Sequence, residues 1–455
     1  MKKKLFKKIS FLATFDGEKL LEDVDMVVMD NSIEFIGNAE DRFKREEFDE
    51  VFDCSGYLIL PGFVNTHHHM YQSLFRNIPE VQNAKLFDWL IFLYEKWKNI
   101  DEEGVYVSTI VSMFEMMKTG VTTTSDMLYL YPNGKNELFD SEIEAARRVG
   151  MRFHPTRGSM SLGRSKGGLP PDSVVQSEDE IIEESIRVIE KYHDPSKHSM
   201  IRIALAPCSP FSVSEELMVK TLELAEKYDV LLHTHLAETK DEEKYCLERF
   251  GLRPVDYMDK IGWLNERVWF AHLVWVNSSD IDKLSENDVG MAHCPVSNMR
   301  LGSGIAPVVK MKERMRIGLA VDGSASNDTN NMISEIRTAM LLQRVKYGSN
   351  AMSPFEVLRM ATMGGAKVLR MDDYIGSIEV GKSADFVGFN LDRLEFAGCL
   401  SNPLSALVMC DAKSVDLSVI NGEIKIKDGE ILDDEVEYFV REHNRISKRL
   451  LETSG

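Results

Sequence analysis

The start of the chain alternates apolar and polar positions. Segments 11–15, 25–29 and 32–36 read as short strands, with turns at Asp16-Gly17 and Asp30-Asn31. Such pairs favour tight turns. No helix of any length fits residues 1–58. From about residue 59 the rhythm changes, and apolar runs are repeatedly followed by stretches of helical period. Runs at 59–66, 121–127, 151–157, 201–207, 229–236, 267–273, 289–294 and 317–323 predict strands. Stretches such as 103–119, 175–192, 213–228, 241–249 and 329–346 predict the helices between them. Eight such units predict an α/β fold, a (β/α)8 TIM barrel, over about 310 residues.

Periodicity alone does not separate a barrel from a doubly wound sheet; the placement of polar residues does. After a helix at 354–369, strand patterns return at 375–378, 386–390, 414–420 and 423–426. They match the N-terminal strands. The expected organisation is therefore a small β-sandwich built from residues 1–58 and 371–455, with the barrel, 59–370, inserted between its halves. Residues 433–451 predict a terminal amphipathic helix.

Composition narrows the function. The 455 residues are 44% hydrophobic and 28% charged, and the net charge is -19. No basic stripe offers a surface for phosphates, so nucleic acid is excluded as partner and a small molecule is expected. Cysteines at 54, 208, 246, 294, 399 and 410 form no C-x-x-C pair, which points to free thiols in a cytoplasmic protein. The basic start is broken by Lys7 and Lys8 and lacks the pattern of a secretory leader. No apolar run is long enough for a membrane span.

Chemistry concentrates at the ends of predicted strands. Segment 61–69 runs Pro-Gly-Phe-Val-Asn-Thr-His-His-His. Alternate residues of a strand share a face, so His67 and His69 point into the barrel mouth and His68 away. Two imidazoles so spaced reach one ion at ~2.0–2.1 Å. Segment 233–238, His-Thr-His-Leu-Ala-Glu, offers one further histidine and places Glu238 where a proton shuttle is needed. His272 ends another apolar strand, as core histidine or site residue. Asp322 ends the last, suited to bind a cation and accept a proton. Asp328 reads as a helix cap before 329–346. The helical H-E-x-x-H motif of zinc peptidases is absent.

These segments, with AHLVWV, VDGSASND and IGSIEVGKSADFVGFN, resemble the amidohydrolase superfamily, in its deaminase and chlorohydrolase-like branch. Further segments, among them HHHMYQSLFRNIPEVQNAKLFDWL and AHCPVSNMRLGSGIAPV, are similar to the 8-oxoguanine deaminases and in part to hydroxyatrazine-type aminohydrolases. Leu273 departs from the cysteine common there.

The resemblance implies that His67, His69, His235 and Asp322 hold one divalent ion. The donors suit zinc, with iron or manganese compatible. Two-metal relatives bridge their ions with a modified lysine, and 201–207 has none. Glu238, His272 and Asp322 would be catalytic, and Gln72, Arg157, Cys208 and the 293–294 loop would lie near the substrate. Gln72 offers a donor and an acceptor. Cys208 reads equally as a small core residue and Arg157 as an ion-pair residue. The implied reaction is deamination of an aminated heterocycle, 8-oxoguanine to urate and ammonia. Guanine, a pterin such as isoxanthopterin, and an s-triazine are the alternative substrates. A non-catalytic scaffold is opposed by the complete residue set, and a homo-oligomer is expected by resemblance only.

Overall fold

A computed structural model describes residues 2–17 and 20–452. Eight parallel strands run in chain order: Phe63–Asn65, Val121–Leu128, Arg152–Ser159, Ala204–Pro207, Leu231–Leu236, Val268–His272, Gly290–His293 and Arg316–Leu319. The first and last lie side by side: Thr66 N–H donates to the Leu319 carbonyl at 3.1 Å, and Asp322 N–H to the His67 carbonyl at 3.2 Å. This contact closes the barrel and brings the two richest motifs together. Helices begin at side-chain caps such as Asp101, Ser214, Thr239 and Asn277, whose oxygens accept otherwise unpaired first-turn N–H groups.

The other sheet is mixed, has nine strands and uses both chain ends. Its halves join where Tyr57–Pro61 pairs antiparallel with Phe386–Asn390. Phe6, Ile9, Met26, Ile59, Phe386 and Val419 share one apolar cluster across the join. Arg152, on a barrel strand, fastens the two sheets. Its Nε donates to Asp385 Oδ2 at 2.6 Å and its Nη2 to Asp385 Oδ1 at 3.2 Å.

Several expectations are corrected. The strand expected at 59–66 is two strands: Tyr57–Pro61 belongs to the end sheet and Phe63–Asn65 to the barrel. The chain crosses at Gly62, where a Cβ would lie 2.0 Å from Thr122 Oγ1. Only glycine permits that approach. The strand expected at 11–15 is instead the end of a longer strand, Lys3–Ala13, which stops before Thr14. Segment 375–378 is not a strand; it is a turn anchored by Ile378 N–H on the Thr14 carbonyl at 2.8 Å. The helix expected at 354–369 widens into a π turn at Met360–Gly364. Asp328 caps no helix. Asn331 caps Met332–Tyr347, while Asp328 accepts from Asn77 N–H at 2.8 Å and from Arg300 Nε at 2.9 Å.

The terminal helix Val436–Glu452 leaves the end sheet and packs beside the turn Met70–Phe75. Its His443 Nε2 lies 2.9 Å from Ser73 Oγ. Among the described residues no helix is long and apolar enough to cross a membrane.

Candidate metal centre and acid–base site

Barrel closure brings the chemistry-bearing strand ends to one point. The rings of His67, His69 and His235 have centroids 4.6, 4.9 and 5.2 Å apart. Asp322 Oδ1 lies 3.3 Å from His67 Nε2 and 3.5 Å from His69 Nε2. Ala237, His272 and Asp322 have φ of 53°, 79° and 61°. A non-glycine residue in such a conformation costs of order 1–3 kcal/mol, and here it turns each strand end towards the centre. His68 faces away, with Nε2 2.8 Å from Asn330 Oδ1.

Proton accounting shows what the centre is built to hold. His69 Nδ1 lies 2.8 Å from the Met127 carbonyl and His235 Nδ1 2.7 Å from the Cys208 carbonyl. A carbonyl only accepts, so each Nδ1 carries the proton and each Nε2 presents a lone pair. His67 reaches the same state through a neighbour. His233 Nδ1 donates to the Trp269 carbonyl at 2.8 Å, leaving its Nε2 to accept from His67 Nδ1 at 2.7 Å.

Three bare Nε2 atoms thus converge beside a carboxylate, and those of His69 and His235 are 3.1 Å apart. His67 Nε2 is buried without a hydrogen-bond partner among the described residues. Lone pairs so close repel unless a cation lies between them. Three nitrogens and one carboxylate oxygen fit a divalent ion such as zinc. Burial holds His67 well below the usual imidazole range, His69 at about 3 and His235 at about 4, so all three rings are neutral at neutral pH.

The acid–base pair sits beside this centre. His272 has a donor atom within 4.8 Å of those of His67 and Asp322, but its protonation differs from that of His67, His69 and His235. Asn298 Nδ2 donates to His272 Nδ1 at 3.0 Å, so His272 Nε2 carries the proton and offers a donor. Glu238 Oε2 is 3.6 Å from that Nε2, and Glu238 Oε1 accepts from Ser303 Oγ at 3.0 Å. Burial, then the charge of Asp322, pushes Glu238 up to about 8. It is therefore a neutral acid at pH 7.

Glu238 is itself held from behind. Glu242 Oε1 accepts from Ala237 N–H and Oε2 from Glu238 N–H, both at 2.8 Å. One buried carboxylate thus clamps the two peptide units that carry the acid. Glu242 and His233 were not among the sequence candidates, though each has a local signal. Glu242 stands at the third helical position after the Thr239 cap, the capping-box spacing. His233 shares a strand face with His235.

A cavity opens over the centre, with Asp322, Glu238 and His272 among its lining residues. Trp89, Tyr94, Tyr129 and Phe211 supply aromatic walls. Gln72 and Cys208 also reach this wall. Gln72 Nε2 donates to Tyr129 OH at 3.4 Å, while its Oε1 is buried and unpaired among the described residues. Burial pushes the Cys208 thiol up to about 12, so it stays protonated. The structure does not bring Arg157 to this wall. The Arg157 guanidinium stacks 3.8 Å from the Tyr131 ring centre and donates to Gln176 Oε1 at 2.7 Å. His293 and Cys294 are buried beneath the mouth, off the cavity lining.

A profile described as the amidohydrolase family matches residues 58–425. The chain belongs to the amidohydrolase family. This amidohydrolase is 45% identical to the 8-oxoguanine deaminase of Pseudomonas aeruginosa over 401 residues, 88% of its own length and 89% of the relative's. It is 35% identical to the hydroxydechloroatrazine ethylaminohydrolase of Pseudomonas sp. (strain ADP) over 425 residues, 90% and 88% of the two lengths. Its fold matches the crystal structure of the atrazine chlorohydrolase from Arthrobacter aurescens TC1 complexed with zinc. That match has a TM-score of 0.92 at 29% identity and covers 98% of this chain and 100% of that one. The amidohydrolase is accordingly a metal-dependent hydrolase acting on carbon–nitrogen bonds.

Proposed function

We propose that this protein hydrolytically deaminates an amino-bearing heterocycle, with 8-oxoguanine as substrate and urate and ammonia as products. The observation that carries the reading is the neutral acid Glu238, poised beside a convergent nitrogen and carboxylate donor set under an aromatic-walled cavity. A flat ring system suits such walls, and the 45% identity to an 8-oxoguanine deaminase supports the choice of ring. The ion is read as a single zinc held by His67, His69, His235 and Asp322.

Held by His67, His69, His235 and Asp322, a divalent ion would lower the pKa of water and so would supply a nucleophile at neutral pH. Asp322 accepts the proton of the attacking water. His272 Nε2–H orients that oxygen towards C2 of the purine. Glu238 gives its proton to the ring nitrogen next to C2 as negative charge builds there. The bond from C2 to the exocyclic amine then breaks, the amine leaves with the proton returned through Asp322, and C2 keeps the oxygen as a carbonyl, its hydroxyl proton passing to Glu238 and restoring the acid. Gln72 and Cys208 contact the heterocycle from the wall.

Six free thiols support a reducing, cytoplasmic setting. Assembly as a homo-oligomer rests on the resemblance alone. The test is ammonia release by zinc-loaded protein from 8-oxoguanine and guanine side by side. A kcat/KM of ~10⁴ M⁻¹s⁻¹ or more on 8-oxoguanine, with far less on guanine, supports the reading. No turnover of 8-oxoguanine overturns it and directs the search to guanine, isoxanthopterin and hydroxylated s-triazines.

A further inference from the structure

The segment after barrel strand Gly290–His293 touches both members of the acid–base pair. It forms the short helix Pro295–Arg300 and a tight loop. Asn298, buried, donates from Nδ2 to His272 Nδ1 at 3.0 Å. Ser303, also buried, donates from Oγ to Glu238 Oε1 at 3.0 Å. The two are tied to each other, Ser303 N–H donating to the Asn298 carbonyl at 2.8 Å. From the far side Trp275 Nε1 donates to the Ser303 carbonyl at 2.8 Å. Gly302 and Gly304 flank the serine with φ of 66° and 132°, conformations that let the loop double back and aim one hydroxyl inward.

We infer that segment 298–303 is one orienting element for both proton-handling groups, with Asn298 setting the tautomer of His272 and Ser303 selecting the oxygen of Glu238 that carries the proton. The argument is donor and acceptor accounting. An amide N–H on His272 Nδ1 occupies that lone pair and obliges Nε2 to hold the hydrogen facing the centre. A hydroxyl donating to Glu238 Oε1 leaves Oε2 as the protonated oxygen, the atom 3.6 Å from His272 Nε2. Asn298 and Ser303 are positioning residues, because each acts through a neighbour. The inference rests on the roles given above to Glu238 and His272.

The test measures kcat, KM and metal content of the full-length zinc-loaded enzyme as E238Q, S303A, S303T, S303A combined with E238Q, and N298D. S303A is expected to lower kcat roughly tenfold, the worth of one hydrogen bond to a reacting group, with KM and metal content unchanged. S303T should recover most of that loss. S303A should add nothing in the E238Q background. N298D keeps the side-chain shape but replaces the donor by an acceptor, so it should lose turnover at normal metal content. An equal loss from S303A with and without Glu238 overturns the inference, as does wild-type turnover of N298D. Full turnover of E238Q overturns the underlying reading instead, and so separates the two failures.

Discussion

His233 accepts the Nδ1 proton of His67 at 2.7 Å, and thereby decides which nitrogen of His67 faces the metal centre. The same ring is fixed on its other side by the Trp269 carbonyl and stacks on the Trp269 indole with centroids 4.4 Å apart. His233 is thus locked in position and tautomer without joining the convergent donor set. His233→Ala should weaken metal binding by about 10–100-fold, the usual effect of losing such a partner. Competition with a chelator measures it. Unchanged affinity removes His233 from the relay.

The pH dependence of the acid follows from its raised pKa. Glu238 is held at about 8 by burial and the charge of Asp322. It is protonated, and competent to donate, below that value. Activity should therefore fall as pH rises through about 8. Glu238→Gln should keep the metal but lose turnover by a factor of ~100 or more, within the range of general acid catalysis. A flat rate from neutral to alkaline pH removes Glu238 as the acid.

Metal affinity should behave differently with pH. His69 and His235 titrate at about 3 and about 4 because burial opposes their charge. Protons then do not compete for these nitrogens near neutrality. An ordinary imidazole with pKa ~6.5 would lose affinity steadily below that pH. The apparent dissociation constant for zinc should stay constant between about pH 6 and 8. A steep loss of affinity on acidification in that range would show that the ligands are not buried as described.

Glu242 offers a test of support from behind. Glu242→Gln replaces one acceptor oxygen by an N–H group that must face Ala237 N–H or Glu238 N–H. A buried hydrogen bond of this kind contributes about 0.5–1.5 kcal/mol, and Ala237, with φ at 53°, donates one of the two. Lower thermal stability and a kcat reduced by roughly tenfold or more are expected, with zinc content preserved. A variant with unaltered melting and rate would mean that the clamp is idle.

Arg152 tests the fastening of the two sheets. It is fully buried and doubly bonded to Asp385. Removing one partner leaves the other charge buried, at a cost of about 3–5 kcal/mol. Arg152→Ala should therefore lower the denaturation midpoint far more than loss of an exposed pair such as Lys244 with Glu248. Equal midpoints would place the strength of the join in the apolar cluster instead.

The sequence by itself determined the eight strand–helix units and the residue types that meet at the barrel mouth. His67, His69, Glu238 and Asp322 were legible because each sits at or just beyond the end of an apolar strand, and strand periodicity sets the side to which a side chain points. Only the tertiary structure decided the rest. His235 turns its Nε2 to the convergent donor set, and His233 serves His67, because of the carbonyls of Cys208 and Trp269. The division of 59–66 at Gly62 depends on Thr122, which no local pattern around Gly62 records. Asn298 and Ser303 meet His272 and Glu238 across 26 and 65 residues of chain. Local periodicity encodes which face a residue occupies. The partner that sets its proton, its rotamer or its charge comes from another part of the chain, and only closure of the barrel brings that partner within hydrogen-bond reach.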